Sequence, residues 1–363
     1  MNPTPKLFIP GPTEVHPEVL AELARPAISH RGEECARLWK VCREGLARLM
    51  GSSGEILLYT GSASALMEAA IRNLVPQRSL HLVCGAFSKR WYEIAQLCGR
   101  DAARLEVPMG QGFTPAMLHR ALVEGGPFDA VTVVHNETST GVANPVAEFA
   151  AVMREFPGTL LLVDTVSSLA GMPVKVDEWG LDVCLAGVQK CLALPPGLAV
   201  ASVSARAMER AATVADRGWC LDFVRLQKGN LKEQSPSTPS TPHLYALARQ
   251  LERIAEEGLV QRWARHRAMA ERVRSWAAGH GWEMFPAEGF RSDTVSCIAR
   301  GAGPDFVPVL ATLKEQGYLV SSGYGDLKGR TFRIGHLGEH DLASIDDLLA
   351  RFDAALQAAG TRA

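Results

Sequence analysis

Short apolar runs alternate with amphipathic stretches along the first two thirds of the chain. The apolar runs have the length of β-strands and lie at residues 56–59, 80–84, 130–134, 160–163, 183–186 and 198–203. Between them, helical periodicity predicts helices at residues 37–49, 65–74, 88–98, 115–123 and 146–155. Because strands that alternate with helices of this length form parallel sheets, the pattern predicts an α/β fold with a mostly parallel sheet covered by helices on both faces.

The pattern changes near Tyr245. Two long helices are predicted first, at residues 243–257 and 259–280. They are followed by a strand at 294–299, a helix at 306–316, a strand at 331–334 and a final helix at 343–358. This order is typical of a smaller α+β unit that follows a large α/β domain.

The N-terminal segment differs from both of these parts. Residues 2–17 contain five prolines, which favour an extended arm over a helix. A second proline-punctuated segment, residues 238–242, marks the expected domain boundary. We therefore predict an arm, a large domain and a small C-terminal domain, at residues 1–22, 23–242 and 243–363.

Composition and charge narrow the classes of function. The 363 residues are 47% hydrophobic and 21% charged, which is the balance of a packed globular protein. The formal net charge is −1 and no block of like charges is present, so a nucleic-acid-binding surface has no support. The apolar runs are too short to span a bilayer, which argues against a membrane protein. The eight cysteines are scattered without a C-x-x-C pair, which argues against disulfides and zinc and predicts a cytoplasmic protein.

Polar residues follow two of the predicted strands, at the edge of an open α/β sheet where ligands usually bind. The turn from Thr60 to Ser64 has small and hydroxyl residues that would expose backbone N–H groups to a phosphate at a helix start. The same residues also serve as ordinary turn and N-cap residues. Asp164 ends an apolar run, where a buried carboxylate needs a donor or a cation such as a protonated pyridine nitrogen. It could also be the N-cap of the next turn.

Two cationic residues complete the set. Lys190 follows the run at 183–186, and a lysine amine becomes a nucleophile when burial or a nearby cation lowers its pKa. A surface lysine at a strand end is the alternative. Arg333 is flanked by strand residues, and its guanidinium group could donate two parallel hydrogen bonds to a carboxylate. It could instead form a structural pair with another residue of the sheet. Asp164 and Lys190 stand 26 residues apart after successive strands, with the phosphate-type turn upstream and the arginine downstream.

These motifs resemble those of the class V aminotransferases, which are fold type I pyridoxal-phosphate (PLP) enzymes. The similarity is greatest to the alanine–glyoxylate and serine–glyoxylate (serine–pyruvate) transaminase branch. The motifs that carry it span nearly the whole chain: Pro10-Gly11-Pro12-Thr13, Ser29-His30-Arg31, Glu137-Thr138-Ser139-Thr140-Gly141, Asp164, Gln189-Lys190, Pro195-Pro196-Gly197, Thr238-Pro239-Ser240-Thr241-Pro242 and Arg333-Ile334-Gly335.

The resemblance implies a role for each site residue. Lys190 binds PLP as a Schiff base and shuttles the substrate proton, and Asp164 pairs with the pyridinium nitrogen. Arg333 clamps the carboxylate of the substrate. The phosphate of PLP is contacted by Ser62, Ala63, Ser64 and Gln189, its 3′ oxygen by Thr138 and the face of its ring by Phe87. The PLP phosphate bound in the neighbouring subunit is contacted by Thr238. Since Thr238 acts across an interface, the resemblance also implies a homodimer with active sites at the subunit interface.

The implied reaction moves an amino group from alanine or serine to glyoxylate or pyruvate. Three positions depart from the family pattern. Many relatives have tryptophan or tyrosine at the position of Phe87, and some have a phosphate-binding tyrosine at that of Ser235. Glyoxylate-using relatives often have glycine at the position of Asn136. His135 is interpreted as a structural histidine, and residues 29–31 either enter the partner's site or form a loop anchored by Arg31.

Other functions remain open on the same fold. A 2-aminoethylphosphonate–pyruvate or phosphoserine transaminase would need further cations that the sequence does not reveal. A cysteine desulfurase would need a reactive cysteine on a late mobile loop, whereas Cys297 lies in a strand-like run. A PLP-binding partner subunit without turnover is an alternative of a different class.

Overall fold

The computed structural model describes residues 5–360. The first four residues of the predicted arm and the last three of the predicted C-terminal domain lie outside the described residues. The strands are β1 (Lys6–Leu7), β2 (Glu55–Thr60), β3 (Arg78–Val83), β4 (Asp101–Glu106), β5 (Ala130–Val134), β6 (Asn136–Glu137), β7 (Val142–Ala143), β8 (Leu160–Asp164), β9 (Val183–Gly187), β10 (Leu198–Val203), β11 (Glu283–Met284), β12 (Val295–Ala299), β13 (Tyr318–Leu319), β14 (Ser321–Ser322) and β15 (Thr331–Gly335).

The helices alternate with these strands in the first part of the chain. They are α1 (Pro17–Glu22), α2 (Glu33–Met50), α3 (Ala63–Leu74), α4 (Ala86–Leu97), α5 (Pro115–Gly125), α6 (Val146–Met153), α7 (Val176–Trp179), α8 (Ala205–Thr213), α9 (Phe223–Asn230), α10 (Thr241–Glu257), α11 (Leu259–Gly279), α12 (Val307–Glu315) and α13 (Leu342–Gly360). None of the helices in residues 5–360 is both long enough and apolar enough to cross a membrane.

A mostly parallel sheet forms the centre of the molecule, in the strand order β2-β10-β9-β8-β5-β3-β4. Strand β10 is antiparallel to both of its neighbours, and the other paired strands are parallel. Successive residues of β8 point to different apolar cores: Leu161 and Val163 belong to one, Leu160 and Leu162 to the other. Because strand side chains alternate between faces, the two cores lie on opposite sides of the sheet. The predicted α/β fold is confirmed.

A second, antiparallel sheet, β11-β12-β15-β14, belongs to the C-terminal part. Its core is rich in aromatic side chains, among them Trp276, Phe332 and Phe352, from α11, β15 and α13. The N-terminal arm joins this unit, since β1 pairs with β13 and Phe8 is buried in the same core.

Helix α10 packs with the large unit. It contacts α1 and α2, and its residues Leu244, Leu247 and Leu251 are buried in the core that covers one face of the central sheet. Helix α10 therefore packs against the large unit, although it follows the predicted boundary at residues 242–243. The proline-rich segment 238–242 leads into α10, where Pro242 occupies the first turn.

Candidate active site

The carboxyl ends of β2, β8 and β9 meet around one cavity, because parallel strands end at the same edge of a sheet. Its volume is about 610 Å³, open solvent at its mouth included. Most of the predicted site residues line it: Ser62, Ala63, Ser64, Phe87, Thr138, Asp164, Gln189 and Lys190. Folding thus brings together residues that are separated by up to 128 positions in the sequence.

The turn after β2 forms one end of the cavity. Ser62 is the N-cap of α3, yet its side chain makes no capping hydrogen bond. The first amides of a helix lack partners within the helix, so they point toward the cavity end with the partial positive charge of the helix terminus. Together with the hydroxyl groups of Ser62 and Ser64, this end of the cavity suits an anion.

Asp164 lies at the end of β8 and is 3% exposed. Its Oδ1 accepts a hydrogen bond from the amide of Val166 at 2.7 Å. Burial raises the pKa of the carboxyl to about 7, although this hydrogen bond acts in the opposite direction. A cationic partner in the cavity would stabilise the ionised form of this buried carboxyl.

Lys190 lies three residues beyond β9, and its amine donates a hydrogen bond to the carbonyl oxygen of Pro10. Removal from water lowers the pKa of this amine to about 8, so more of it is neutral near neutral pH than of a lysine amine in water. The arm approaches the lysine closely, because a Cβ atom on Gly11 would lie 2.5 Å from the Lys190 Cδ, and Gly11 has a φ of +109°. Pro10 and Gly11 of the N-terminal arm therefore close one side of the site.

Phe87 is presented by the first turn of α4, which a buried acid holds in place. Glu137, fully buried on β6, accepts hydrogen bonds from the amides of Phe87 (3.1 Å) and Ser88 (2.9 Å). The hydroxyl of Ser139 donates to the same carboxylate at 2.6 Å. A negative side chain at a helix start satisfies free amides and complements the helix dipole. Glu137 thereby fixes the orientation of Phe87 at the cavity wall.

Thr138 and Asn136 belong to a buried network of hydroxyl and amide groups. Thr138 donates to the Oγ of Ser167 at 2.8 Å. Asn136 donates from Nδ2 to the same oxygen and to Thr294 Oγ1, each at 2.9 Å. Asn136 therefore joins β6 to the segment before β12, and thus the two units of the chain.

Arg333, on β15, lies next to the cavity and is 8% exposed. Its Nη1 donates to the carbonyl oxygen of Thr138 at 3.2 Å, and Nε and Nη2 donate to that of Ser322 at 3.3 Å. These partners are neutral, and within residues 5–360 its hydrogen-bond acceptors are carbonyl oxygens. The guanidinium group is thus available to an incoming carboxylate.

Three other predicted positions lie away from the cavity. Thr238 is exposed in the segment before α10 and does not line the cavity of its own chain, so its role across a subunit interface stays a prediction. Arg31 donates to the carbonyl oxygen of Ser235 at 2.6 Å, which favours the anchored-loop interpretation of residues 29–31. His135 is buried, with its pKa lowered to about 4 by burial, and its ring packs edge-on against Trp179, while its Nδ1 has no hydrogen-bond partner among the described residues.

The sequence reasoning did not assign site roles to six further lining residues: Met67, Arg90, Val134, Asn136, Val166 and Ser167. Val166 and Ser167 stand two and three residues after Asp164, and this closeness in the sequence was a usable signal. Arg90 lies one helical turn after Phe87, and that i, i+3 spacing on α4 was the signal that could have found it.

The residues at the three ends of this cavity fit PLP. A helix start with uncapped amides suits its phosphate, and the uncompensated carboxyl of Asp164 suits its pyridine nitrogen. The partly neutral amine of Lys190 suits its aldehyde, and Phe87 and Val166 supply apolar contacts for its ring. The site residues of the chain are therefore complementary to this cofactor.

Comparison with known proteins identifies the family of the chain. Residues 9–323 match the family model described as "Aminotransferase class-V". An uncharacterized aminotransferase of Methanocaldococcus jannaschii is 38% identical over 92% of this chain and 87% of its own length. A serine–glyoxylate aminotransferase of Methylorubrum extorquens is 33% identical over 92% and 86%. The crystal structure of an alanine–glyoxylate aminotransferase from Nostoc sp. superposes with a TM-score of 0.91 at 31% identity, over 98% of this chain and 96% of that one.

Proposed function

The chain belongs to the class V aminotransferases, which use PLP, and we propose that it transfers the amino group of alanine or serine to glyoxylate or pyruvate. The observation that carries the proposal is that two functional groups line one cavity and a third lies beside it. These are the amine of Lys190, the buried carboxyl of Asp164 and the guanidinium group of Arg333, whose present partners are neutral.

Each site residue of the chain would have a different role in transamination. When bound, PLP supplies an electron sink for the negative charge that develops at the substrate α-carbon. Lys190 would hold the cofactor through Nζ and, once released, remove and return the α-proton as general base. Asp164 would keep a proton on the pyridine nitrogen by pairing with it. Arg333 would hold the substrate carboxylate so that the α-proton faces Lys190.

The lining of the cavity supports a small, uncharged substrate side chain. Phe87, Met67 and Val134 supply apolar surface, and the cations that line the cavity within residues 5–360 are Arg90 and Lys190. Arg90 contacts Ser64 at the helix-start end, on the side of the predicted phosphate contacts. A phosphonate or phosphoserine side chain would need a cation near Arg333 instead.

Half-reaction spectroscopy tests the proposed substrates. Candidate amino acids are added one at a time to the PLP-loaded enzyme, and its visible absorption band and the 2-oxo acid released are measured. We expect alanine or serine to remove the band and yield pyruvate or hydroxypyruvate, and 2-aminoethylphosphonate to have a much smaller effect. A band that no amino donor changes would instead support the binding subunit without turnover.

Arg333 provides a separate test of substrate binding. Replacing Arg333 by methionine should raise the KM for the amino donor by about ten- to a hundredfold, the effect expected when one charge-assisted contact is lost. Cofactor affinity should change little, because Arg333 does not line the cavity. Steady-state kinetics and PLP titration measure the two effects. Arg330→Met, at an exposed position nearby, is the matched control. An unchanged KM in Arg333→Met would contradict the assignment.

We also propose a cytoplasmic homodimer. The exposed position of Thr238 supports an interface that brings it to the partner's cavity, and the eight free cysteines support a reducing compartment.

A further inference from the structure

One cation of the cavity has no part in the proton transfer described above. Arg90, on α4, lines the cavity between the helix start of α3 and the ring of Phe87. We infer that Arg90 is a cofactor-positioning residue whose guanidinium group compensates the phosphate of PLP. The inference rests on PLP as cofactor and assigns a residue that the sequence motifs did not.

Two contacts place the guanidinium group. Its Nη1 lies 3.3 Å from the Oγ of Ser64, in the first turn of α3. Its Cζ lies 4.8 Å from the ring centroid of Phe87, within the range of a cation–π contact. Arg90 thus joins the residue predicted to bind the phosphate to the residue predicted to stack on the ring.

The charge of the phosphate explains why a cation is needed there. A phosphate monoester carries about −1.5 to −2 charges near neutral pH, and a helix N-terminus offers roughly +0.5. The side chains predicted at this end, Ser62, Ser64 and Gln189, are neutral. Lys190 is the other cation that lines the cavity within residues 5–360, and its amine serves the aldehyde end. Arg90 is therefore the cationic side chain of the cavity lining that is available to compensate the charge of the phosphate.

Two other roles for Arg90 have to be separated from this one. Arg90 could only support the ring of Phe87, which would affect any ligand that stacks there. It could instead bind an anionic substrate side chain, but Arg333, the predicted carboxylate clamp, contacts Thr138 and not the Ser64 end. The contact with Ser64 favours the phosphate.

The test compares PLP with pyridoxal, which has the same ring and aldehyde but lacks the phosphate. Cofactor-free wild type, Arg90→Met, Arg90→Lys and Arg104→Met proteins are titrated with each ligand, and absorbance and protein fluorescence give the dissociation constants. Arg104 is the matched control. Like Arg90 it lies over an aromatic ring of α4, that of Tyr92, but it does not line the cavity. No turnover is needed for this measurement.

We expect Arg90→Met to weaken PLP binding by about ten- to a hundredfold and pyridoxal binding by less than about threefold, because only the charge-assisted contact to the phosphate is lost. Arg90→Lys should retain most of the PLP affinity, since it keeps the charge. Added salt should weaken PLP binding more steeply in the wild type than in Arg90→Met. Arg104→Met should behave like the wild type.

Equal weakening of PLP and pyridoxal binding in Arg90→Met would overturn the inference and leave Arg90 as a support for Phe87. Unchanged PLP binding with weaker binding of 2-aminoethylphosphonate would overturn it in favour of a substrate role. A wild-type protein that binds neither ligand would refute the cofactor itself, which is a different failure.

Discussion

Replacing Lys190 by alanine is expected to lower the transamination rate by about 10⁴-fold or more, the upper end of what a positioned general base contributes. The variant loses both the amine that would hold the cofactor and the base that would move the α-proton. PLP should still bind noncovalently, because the helix-start end, Asp164 and Phe87 remain. Turnover and PLP titration measure the two effects.

Borohydride reduction followed by peptide mass analysis gives a second measurement on the same variants. In the wild type, PLP should be fixed to the peptide that contains Lys190, and Lys190→Ala should show no modified peptide. Lys89→Ala is the control, because Lys89 is exposed on α4 and pairs with Glu93 on the surface. Full activity in Lys190→Ala, or PLP fixed to another lysine of the wild type, would remove the basis of the proposed mechanism.

The central strands could be predicted from the sequence because they are buried on both faces. Every residue of β5, β8 and β9 is buried, and apart from Thr132 in β5 and Asp164 at the end of β8 these residues are apolar or glycine. Strand β4 was missed because it lies at the edge of the sheet and pairs with β3 alone. Half of its residues are exposed, and its sequence, DAARLE, has no apolar run. The antiparallel direction of β10 was also not predictable, since strand direction depends on the connections around it.

The site was predictable where a residue follows a buried strand. Asp164 and Lys190 come after β8 and β9, so their convergence follows from the parallel sheet. The contact between Lys190 and Pro10 joins residues 180 positions apart, and no local pattern encodes it. Arg90 depends likewise on how Glu137 fixes the start of α4, which is a tertiary contact. The role of Thr238 depends on a second subunit and stays a prediction.

Replacing Asp164 by asparagine or alanine is expected to lower kcat by about 10²–10⁴-fold, the effect of leaving a buried cation without its partner (about 3–5 kcal/mol). PLP should also bind more weakly, because the pyridine nitrogen would lose its only predicted anionic contact. Asp164→Asn keeps the shape of the side chain and removes the charge, so it separates the electrostatic effect from a packing defect. A kcat within about threefold of the wild type in Asp164→Asn would argue against the pairing.

The same residue predicts how the stability of the cofactor-free protein depends on pH. Burial raises the pKa of Asp164 from 3.8 to about 7, so between these values the native state binds more protons than the unfolded state. The contribution of Asp164 to stability is therefore present below about pH 4 and is lost as the pH rises through about 7. The unfolding temperature of the cofactor-free wild type should fall between about pH 5 and about pH 8 more than that of Asp164→Asn, which lacks this titration. PLP should stabilise the wild type more at about pH 8 than at about pH 5, because the carboxylate then gains a cationic partner. If both proteins lost stability equally over this range, Asp164 would not be the buried, uncompensated acid that cofactor binding requires.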